Sequence, residues 1–85
     1  MNAPQRVTVH WRDINTHNGG WEAIADARNA SLADCQTTGY LIAETDDRVT
    51  IAANWGHDDS GNEEINLSTC IPRGCVVRIE KLGES

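Results

Sequence analysis

The sequence lacks phenylalanine, and it contains no long run of apolar residues. A span across a bilayer needs about 20 consecutive apolar residues, which no stretch of this chain provides. The first residues also lack the basic segment and following apolar stretch that mark a secretion signal. The sequence therefore predicts a cytoplasmic protein with no membrane segment, in which three tryptophans carry much of the aromatic burial.

Basic residues are scarce, because seven Lys and Arg stand against thirteen Asp and Glu, for a net charge of −6. Proteins that hold the phosphate backbone of nucleic acids, or an anionic membrane, need clustered Lys and Arg. Direct nucleic-acid binding and membrane binding are therefore not expected. A role in solubility, a partner with a basic surface, and mimicry of a nucleic acid's charge all stay open.

Cysteines number only three, Cys35, Cys70 and Cys75, and an odd number cannot all pair within one chain. Free thiols in a reducing cytosol are the simplest interpretation. Zinc sites usually carry ligand pairs at short spacing, whereas Cys70 and Cys75 lie across a predicted turn without a second pair. The cysteines are expected to be small buried hydrophobes, and neither a metal nor another cofactor is predicted.

Short segments in which apolar and polar residues alternate are the main structural signal, and they are typical of half-buried strands. The predicted strands are Arg6–Trp11, Cys35–Glu44, Arg48–Trp55, Glu64–Cys70 and Cys75–Leu82. The other predicted features are a helix over 21–28, a bend or bulge at Gly39, a tight turn at 45–47 and a closing turn at 71–74.

A chain of 85 residues is expected to form one domain with a thin core. Five short sequential strands make a meander whose edges must be hidden by curling or by association. The sequence therefore predicts a mainly β fold with one short helix, either a five-stranded antiparallel, strongly curved sheet or a partly open SH3-like small barrel. The domain covers residues 1–85, with frayed ends at 1–5 and 83–85.

A polar loop over residues 13–20 is flanked by Trp11 and Trp21, and it contains Asp13, His17, two Asn and two Gly. Polar groups displayed beside aromatic side chains suit a binding site. The other interpretation is a plain crossover with both Trp side chains in the core. Because Trp is amphipathic and enriched at interfaces, this loop is the first choice for a recognition surface.

A second candidate site begins at Trp55 and His57, at the end of the third predicted strand. Trp55 ends an alternating run and is expected to belong to its buried face, unless it captures a small ligand or peptide at a barrel mouth. Asp58 and Asp59 follow, close to the acidic pair at 63–64. They predict either a solvated loop that prevents edge-to-edge association or an acidic contact for a basic partner.

A catalytic set could be drawn from Cys35, His10 and Asp13, as a thiol, a base and an orienting carboxylate. Nothing in the sequence brings these residues together, and a thin core has little means of shifting the pKa of a thiol. No catalytic residue is predicted, and the protein is expected not to be an enzyme.

Several short motifs follow one another along the chain. They are Trp11-x-Asp13, Gly20-Trp21, Thr38-Gly39-Tyr40-Leu41-Ile42, Val49-x-Ile51-Ala52 and Ile71-Pro72-x-Gly74-Cys75-Val76. This ordered set covers most of the chain and resembles small uncharacterised proteins of bacteriophages and prophages. The resemblance implies a short accessory phage protein that acts on a host system, and it brings no functional residue with it.

These features favour a non-enzymatic accessory protein that binds a host or phage protein, or itself as a small oligomer, and acts by steric or electrostatic blocking. An alternative is a sponge for a nucleotide-like signal molecule, formed by an oligomer in which Arg12, Arg73 and Arg78 offset the negative charge. A small metal-dependent hydrolase is a third alternative that no motif supports.

Overall fold

The fold is a single antiparallel sheet of five strands, seen in a computed structural model that describes residues 3–16 and 19–83. The elements are β1 (Arg6–Asp13), α1 (Ile24–Arg28), β2 (Ala33–Glu44), β3 (Arg48–His57), β4 (Glu63–Pro72), a 3₁₀ turn (Arg73–Cys75) and β5 (Val76–Lys81). The strand order is β4-β3-β2-β1-β5. The prediction of a mainly β fold with five antiparallel strands and one short helix is confirmed.

The sheet is curved but not closed. β4 and β5 are its opposite edges, yet only the three-residue 3₁₀ turn separates them in the chain. The four Cα steps from Pro72 to Val76 span at most about 14 Å, whereas the edges of a flat five-stranded sheet lie about 19 Å apart. The sheet must therefore curl, and the backbone N–H of Arg73 ties the turn to the carbonyl of Asp47 at 3.0 Å. The chain thus forms an open, curved sheet, which is one of the two architectures that the sequence predicted.

The core is small and lies toward one end of the sheet. Its buried apolar residues are Val7, Val9, Val49, Ile51, Ala52 and Ile71. Partly buried side chains pack around them, namely Trp11, Leu41, Cys75, Val76 and Ile79. Most of these positions lie near the β2–β3 turn, so the core stabilises that half of the sheet and leaves the other half thinly supported.

Gly39 lies where β2 passes closest to β3. A Cβ atom at this position would come within 2.5 Å of the carbonyl oxygen of Ala52, which no real side chain tolerates. The sequence predicted a bend or bulge at Gly39, but the irregularity in the β2–β3 pairing falls between Leu41 and Ala43. Glycine is therefore needed at 39 for close backbone approach.

The strands are longer than the sequence predicted at several ends. β1 continues to Asp13, which pairs with Ala33, and the Arg12 Nε donates to Asp34 Oδ1 at 3.2 Å. β3 continues past Trp55 to His57 because it stays paired with β4 there. β4 also continues through Ile71 to Pro72, where a break was predicted, since proline is tolerated at the end of an edge strand.

The helix is shorter than predicted, beginning at Ile24 instead of Trp21. Its N-cap residue, Ala23, forms no capping hydrogen bond through its side chain, so no side-chain cap stabilises the first turn of the helix. In the described part of the chain, no helix is both long and apolar enough to cross a membrane. At the predicted frayed N-terminus, Gln5 is held by a hydrogen bond from its Nε2 to the carbonyl of Leu82 at 2.8 Å.

The molecule is elongated for its length. Its extents are 58 × 25 × 24 Å and its radius of gyration is 17.2 Å. A compact chain of 85 residues has a radius of gyration of about 12 Å. The molecule is therefore far from spherical.

Candidate functional site: an exposed arm and an acidic ribbon

We call the connection between β1 and β2, residues 14–32, the arm. All of its described residues are exposed. Four of them are large and apolar, with exposed fractions of 78% for Ile14, 104% for Trp21, 68% for Ile24 and 55% for Leu32. Exposed apolar side chains that are grouped together mark interaction surfaces. The core interpretation of Trp21 is therefore wrong.

Two hydrogen bonds hold the base of the arm. At its base, Asn15 Nδ2 donates to the carbonyl of Ser31 at 3.2 Å. The backbone N–H of Ile14 donates to Asp13 Oδ1 at 2.8 Å, so Asp13 marks the point where the arm leaves β1. A helix of five residues with no buried side chain is marginal on its own. The predicted site residue His17 belongs to the arm but lies outside the described residues.

Trp11 has a different role from Trp21. It is half-buried against the core, and its indole Nε1 donates to Thr37 Oγ1 at 2.9 Å. A buried Trp N–H needs such a partner, so this bond fixes the side chain within the sheet. The core interpretation thus holds for Trp11, whereas Trp21 is fully exposed.

The second exposed feature is the far part of the β3–β4 hairpin, residues 53–66, which we call the ribbon. β2 pairs with β3 only as far as Tyr40 and Ala52, whereas β3 and β4 stay paired to His57 and Glu63. Within the described structure, the hairpin beyond Ala52 is therefore two strands wide. It holds four acidic residues and no Lys or Arg, namely Asp58, Asp59, Glu63 and Glu64. This distribution gives the ribbon a negative potential.

Trp55 is the centre of a small cluster on the ribbon. Its ring centroid lies 6.2 Å from that of Tyr40 and 5.1 Å from that of His57, which meets it edge-on. Its Nε1 donates to Glu63 Oε2 at 2.6 Å, and its strand partner is Ile65. Trp55 is half-buried by these neighbours and lies outside the core. The prediction that it belongs to the buried core is therefore wrong.

A shallow groove of about 440 Å³ accompanies this cluster. It is lined by Asn54, Trp55, Gly56, His57, Glu64, Ile65 and Asn66. Because the sheet is open, the groove lies on a ribbon surface and is not a barrel mouth. Aromatic and carboxylate groups suit a cationic side chain better than a phosphate.

The ribbon tip is shaped by Asp58. Its Oδ1 accepts hydrogen bonds from the backbone N–H groups of Ser60 at 2.9 Å and Asn62 at 2.8 Å, and its Oδ2 accepts one from Asn62 Nδ2 at 3.2 Å. The hydrogen bond from the Asn62 backbone is the main cause that holds the pKa of Asp58 below its ordinary value. Asp58 thus builds the turn, while Asp59 is the exposed acid beside it.

The arm and the ribbon lie at the same end of the sheet. The arm leads into the start of β2, and the ribbon tip follows the end of β3. Because β2 and β3 are antiparallel, these two strand ends point the same way. The structure therefore places Trp21, Trp55, His57, Asp58 and Asp59 at the end opposite the β2–β3 turn.

The residues considered for catalysis have other partners. His10 Nε2 lies 3.0 Å from Glu80 Oε1, and this bond is the main cause that lowers the pKa of Glu80. The Cys35 thiol faces the carbonyl of Ala33 at 3.7 Å. Among the described residues, no group of three or more His, Cys, Asp and Glu side chains is arranged to hold a metal ion.

The cysteines and the arginines depart in part from expectation. The three thiols are free, but Cys70 is exposed on β4, so its prediction as a buried hydrophobe is wrong. The three arginines considered for a nucleotide-like ligand each contact a carboxylate. The pairs are Arg12 with Asp34 at 3.2 Å, Arg73 with Glu44 at 3.1 Å and Arg78 with Glu80 at 3.6 Å.

Sequence reasoning missed most of the exposed apolar residues. Ile14, Ile24 and Leu32 on the arm, and Leu67 on β4, were not considered as contact residues, although all four are more than half exposed. Ile14 carried a signal, since it interrupts an otherwise polar loop. The others fit regular patterns, and patterns do not show whether a face is covered.

Comparisons with known proteins add no family to this description. No protein-family model matches the chain, and neither a curated protein nor a solved structure matches it. A functional conclusion therefore has to come from the geometry of the arm and the ribbon.

Proposed function

We propose that this protein acts by binding a partner protein through the arm, and that it is not an enzyme. The observation that carries the proposal is the exposure of Trp21, a residue that is 104% exposed in an arm with three other exposed apolar residues. Burial of a Trp side chain removes about 150–250 Å² of surface from water. At about 25 cal/mol per Å², this is worth about 4–6 kcal/mol before the cost of ordering.

The acidic ribbon supports a partner with a basic surface. Its four carboxylates face no Lys or Arg within residues 53–66, and it lies at the same end of the sheet as the arm. Charges at the edge of an interface steer association and set its salt dependence. In this proposal Trp21 supplies most of the binding energy, and Asp59 and its neighbours supply orientation and rate.

The resemblance to phage proteins suggests the biological context. The partner would be a host protein whose surface the arm occupies, so that the chain acts by blocking. A nucleotide-like ligand has less support, because Arg12, Arg73 and Arg78 already contact carboxylates and the groove at Trp55 is acidic.

Partner capture with arm variants tests the proposal. The tagged chain is used to capture proteins from a bacterial host extract, and the captured protein is purified and titrated against wild type and Trp21→Ala. Because Trp is a frequent interface hot spot, we expect Trp21→Ala to weaken binding by about 2 kcal/mol, or about 30-fold in Kd. Asp59→Lys should lower the association rate and its dependence on salt.

The matched control is Ile42→Ala, which shortens an apolar side chain that is 38% exposed on β2. This variant should bind as tightly as wild type. If Trp21→Ala keeps every partner at wild-type affinity, or if Ile42→Ala loses the same partners, the arm is not the contact surface.

A further inference from the structure

We propose that the chain also assembles head to tail with copies of itself, with the outer edge of β4 in one copy pairing with the outer edge of β5 in the next. This assembly goes beyond the proposed function. It uses the two sheet edges and leaves the arm free, although the β4 edge includes Glu63 and Glu64 of the ribbon.

The first observation is that both edges are open. In the described part of the chain, β4 pairs only with β3, and β5 pairs only with β1. Nine of the ten residues of β4 are exposed, all except Ile71. Edge strands present a row of unpaired N–H and C=O groups that another strand can satisfy.

Each edge also carries one irregular position with an exposed apolar side chain. On β4 this is Leu67, which is 73% exposed and has a φ of 55°, in the left-handed region that leucine disfavours. On β5 it is Val77, which is 57% exposed. Val77 has no partner in β1, because the register shifts there and Arg78 pairs with His10 while Val76 pairs with Trp11. A strained and exposed leucine is explained if a neighbouring copy buries it.

The two edges have opposite charge. Glu63 and Glu64 give β4 a charge of −2, whereas Arg78 and Lys81 against Glu80 give β5 a charge of +1. Glu80 is itself engaged by His10 and Arg78. Complementary charge favours β4 against β5 over a contact of either edge with its own kind.

The chain exposes more surface than a compact chain of its mass. The exposed area is 6519 Å², whereas a folded monomer of 9.3 kDa exposes about 5,000 Å². The exposed arm accounts for part of this excess, and the uncovered edges of β4 and β5 contribute to the rest. One β4 edge and one β5 edge per copy make such a contact heterologous, which produces either a closed ring or an open fibre.

Sedimentation velocity over a range of chain concentrations tests the assembly. Wild type should form species of three or more chains. Leu67→Asn should raise the dissociation constant about tenfold, which corresponds to the loss of one buried apolar contact. Asparagine tolerates the left-handed backbone at 67, so this variant should stay folded by circular dichroism, and its loss of assembly would not reflect unfolding.

Charge reversal tests the pairing of unlike edges. Glu63→Lys with Glu64→Lys should block assembly, as should Arg78→Glu with Lys81→Glu. An equimolar mixture of the two double variants should assemble again, because each restores the opposite charge for the other. Trp21→Ala should sediment as wild type, which separates this assembly from partner binding through the arm.

Several results would overturn the proposal. They are a wild-type monomer at every concentration, an assembly that stops at two chains, wild-type assembly by Leu67→Asn, and a mixture of the charge variants that stays dissociated. Loss of assembly in Trp21→Ala would also overturn it, because the arm would then be the self-association surface.

Discussion

Gly39 is the residue on which the path of the sheet depends most. An added Cβ would meet the Ala52 carbonyl at 2.5 Å, and this neighbour is backbone that cannot move aside. We expect Gly39→Ala to lower the free energy of unfolding by about 1–3 kcal/mol, the usual cost of overpacking. Urea denaturation followed by circular dichroism measures the loss.

Gly56→Ala is the matched control, because Gly56 also lies in a strand but an added Cβ there would meet nothing within 4 Å. This variant should match wild type within about 0.5 kcal/mol. Equal losses in the two variants would show that general strand effects, rather than the approach to Ala52, explain Gly39.

The three tryptophans show what residue patterns can and cannot predict. Trp11 and Trp55 were placed on strands because they continue alternating runs, and both strands form. Alternation identifies the face of a strand but not whether anything covers that face. Trp11 is covered by the core, Trp55 by Tyr40 of β2 and by ribbon neighbours, and Trp21 not at all. Only the tertiary structure separates these cases.

At the scale of elements, the ribbon turn predicts a pH effect. The pKa of Asp58 lies below its ordinary value of 3.8 because the folded turn donates hydrogen bonds to its carboxylate. The ionised form is therefore favoured by folding, so its contribution is present above the unfolded pKa and is lost as pH falls through the folded pKa. We expect the stability of wild type to fall more steeply below about pH 4 than that of Asp58→Asn.

Acid titration of the unfolding free energy measures this difference. Asp59→Asn is the control, since it removes a charge from the same loop and leaves the hydrogen bonds of Asp58 in place. Glu80 also makes the folded state less stable as the pH falls, because its pKa is lowered too, and this effect is the same in every variant. Parallel curves for wild type and Asp58→Asn would contradict the structural role of the Asp58 carboxylate.

Element types were more predictable than their ends. The five strands, the short helix and the β2–β3 turn follow from alternation, from a cluster of helix-forming residues and from turn chemistry. The residue at which a strand ends depends on pairing with its neighbour. For example, β1 extends to Asp13 because Ala33 of β2 lies opposite it. Pro72 was expected to break β4, but a proline at the end of an edge strand leaves the ladder intact.

At the scale of the whole molecule, the short chain forms an open sheet with a small core, and several large apolar residues stay exposed. The sequence predicted the curved sheet, because a meander of thin strands must hide its edges. An open sheet and an exposed Trp21 were both among the alternatives that the sequence left open. The sequence could not decide between them and a partly open barrel or a core Trp21, since both outcomes follow from how distant segments pack. The molecule is also elongated, with a radius of gyration of 17.2 Å.

The central claim is that the arm is a contact surface for a partner protein, and photo-crosslinking from position 21 tests it most directly. A photoreactive phenylalanine analogue replaces Trp21 in one variant and Asp46 in another, because Asp46 is exposed in the turn at the opposite end of the sheet. Irradiation in cells that produce the variants should join position 21, but not position 46, to one distinct protein. Identical adducts from both positions, or no adduct from position 21, would contradict the claim.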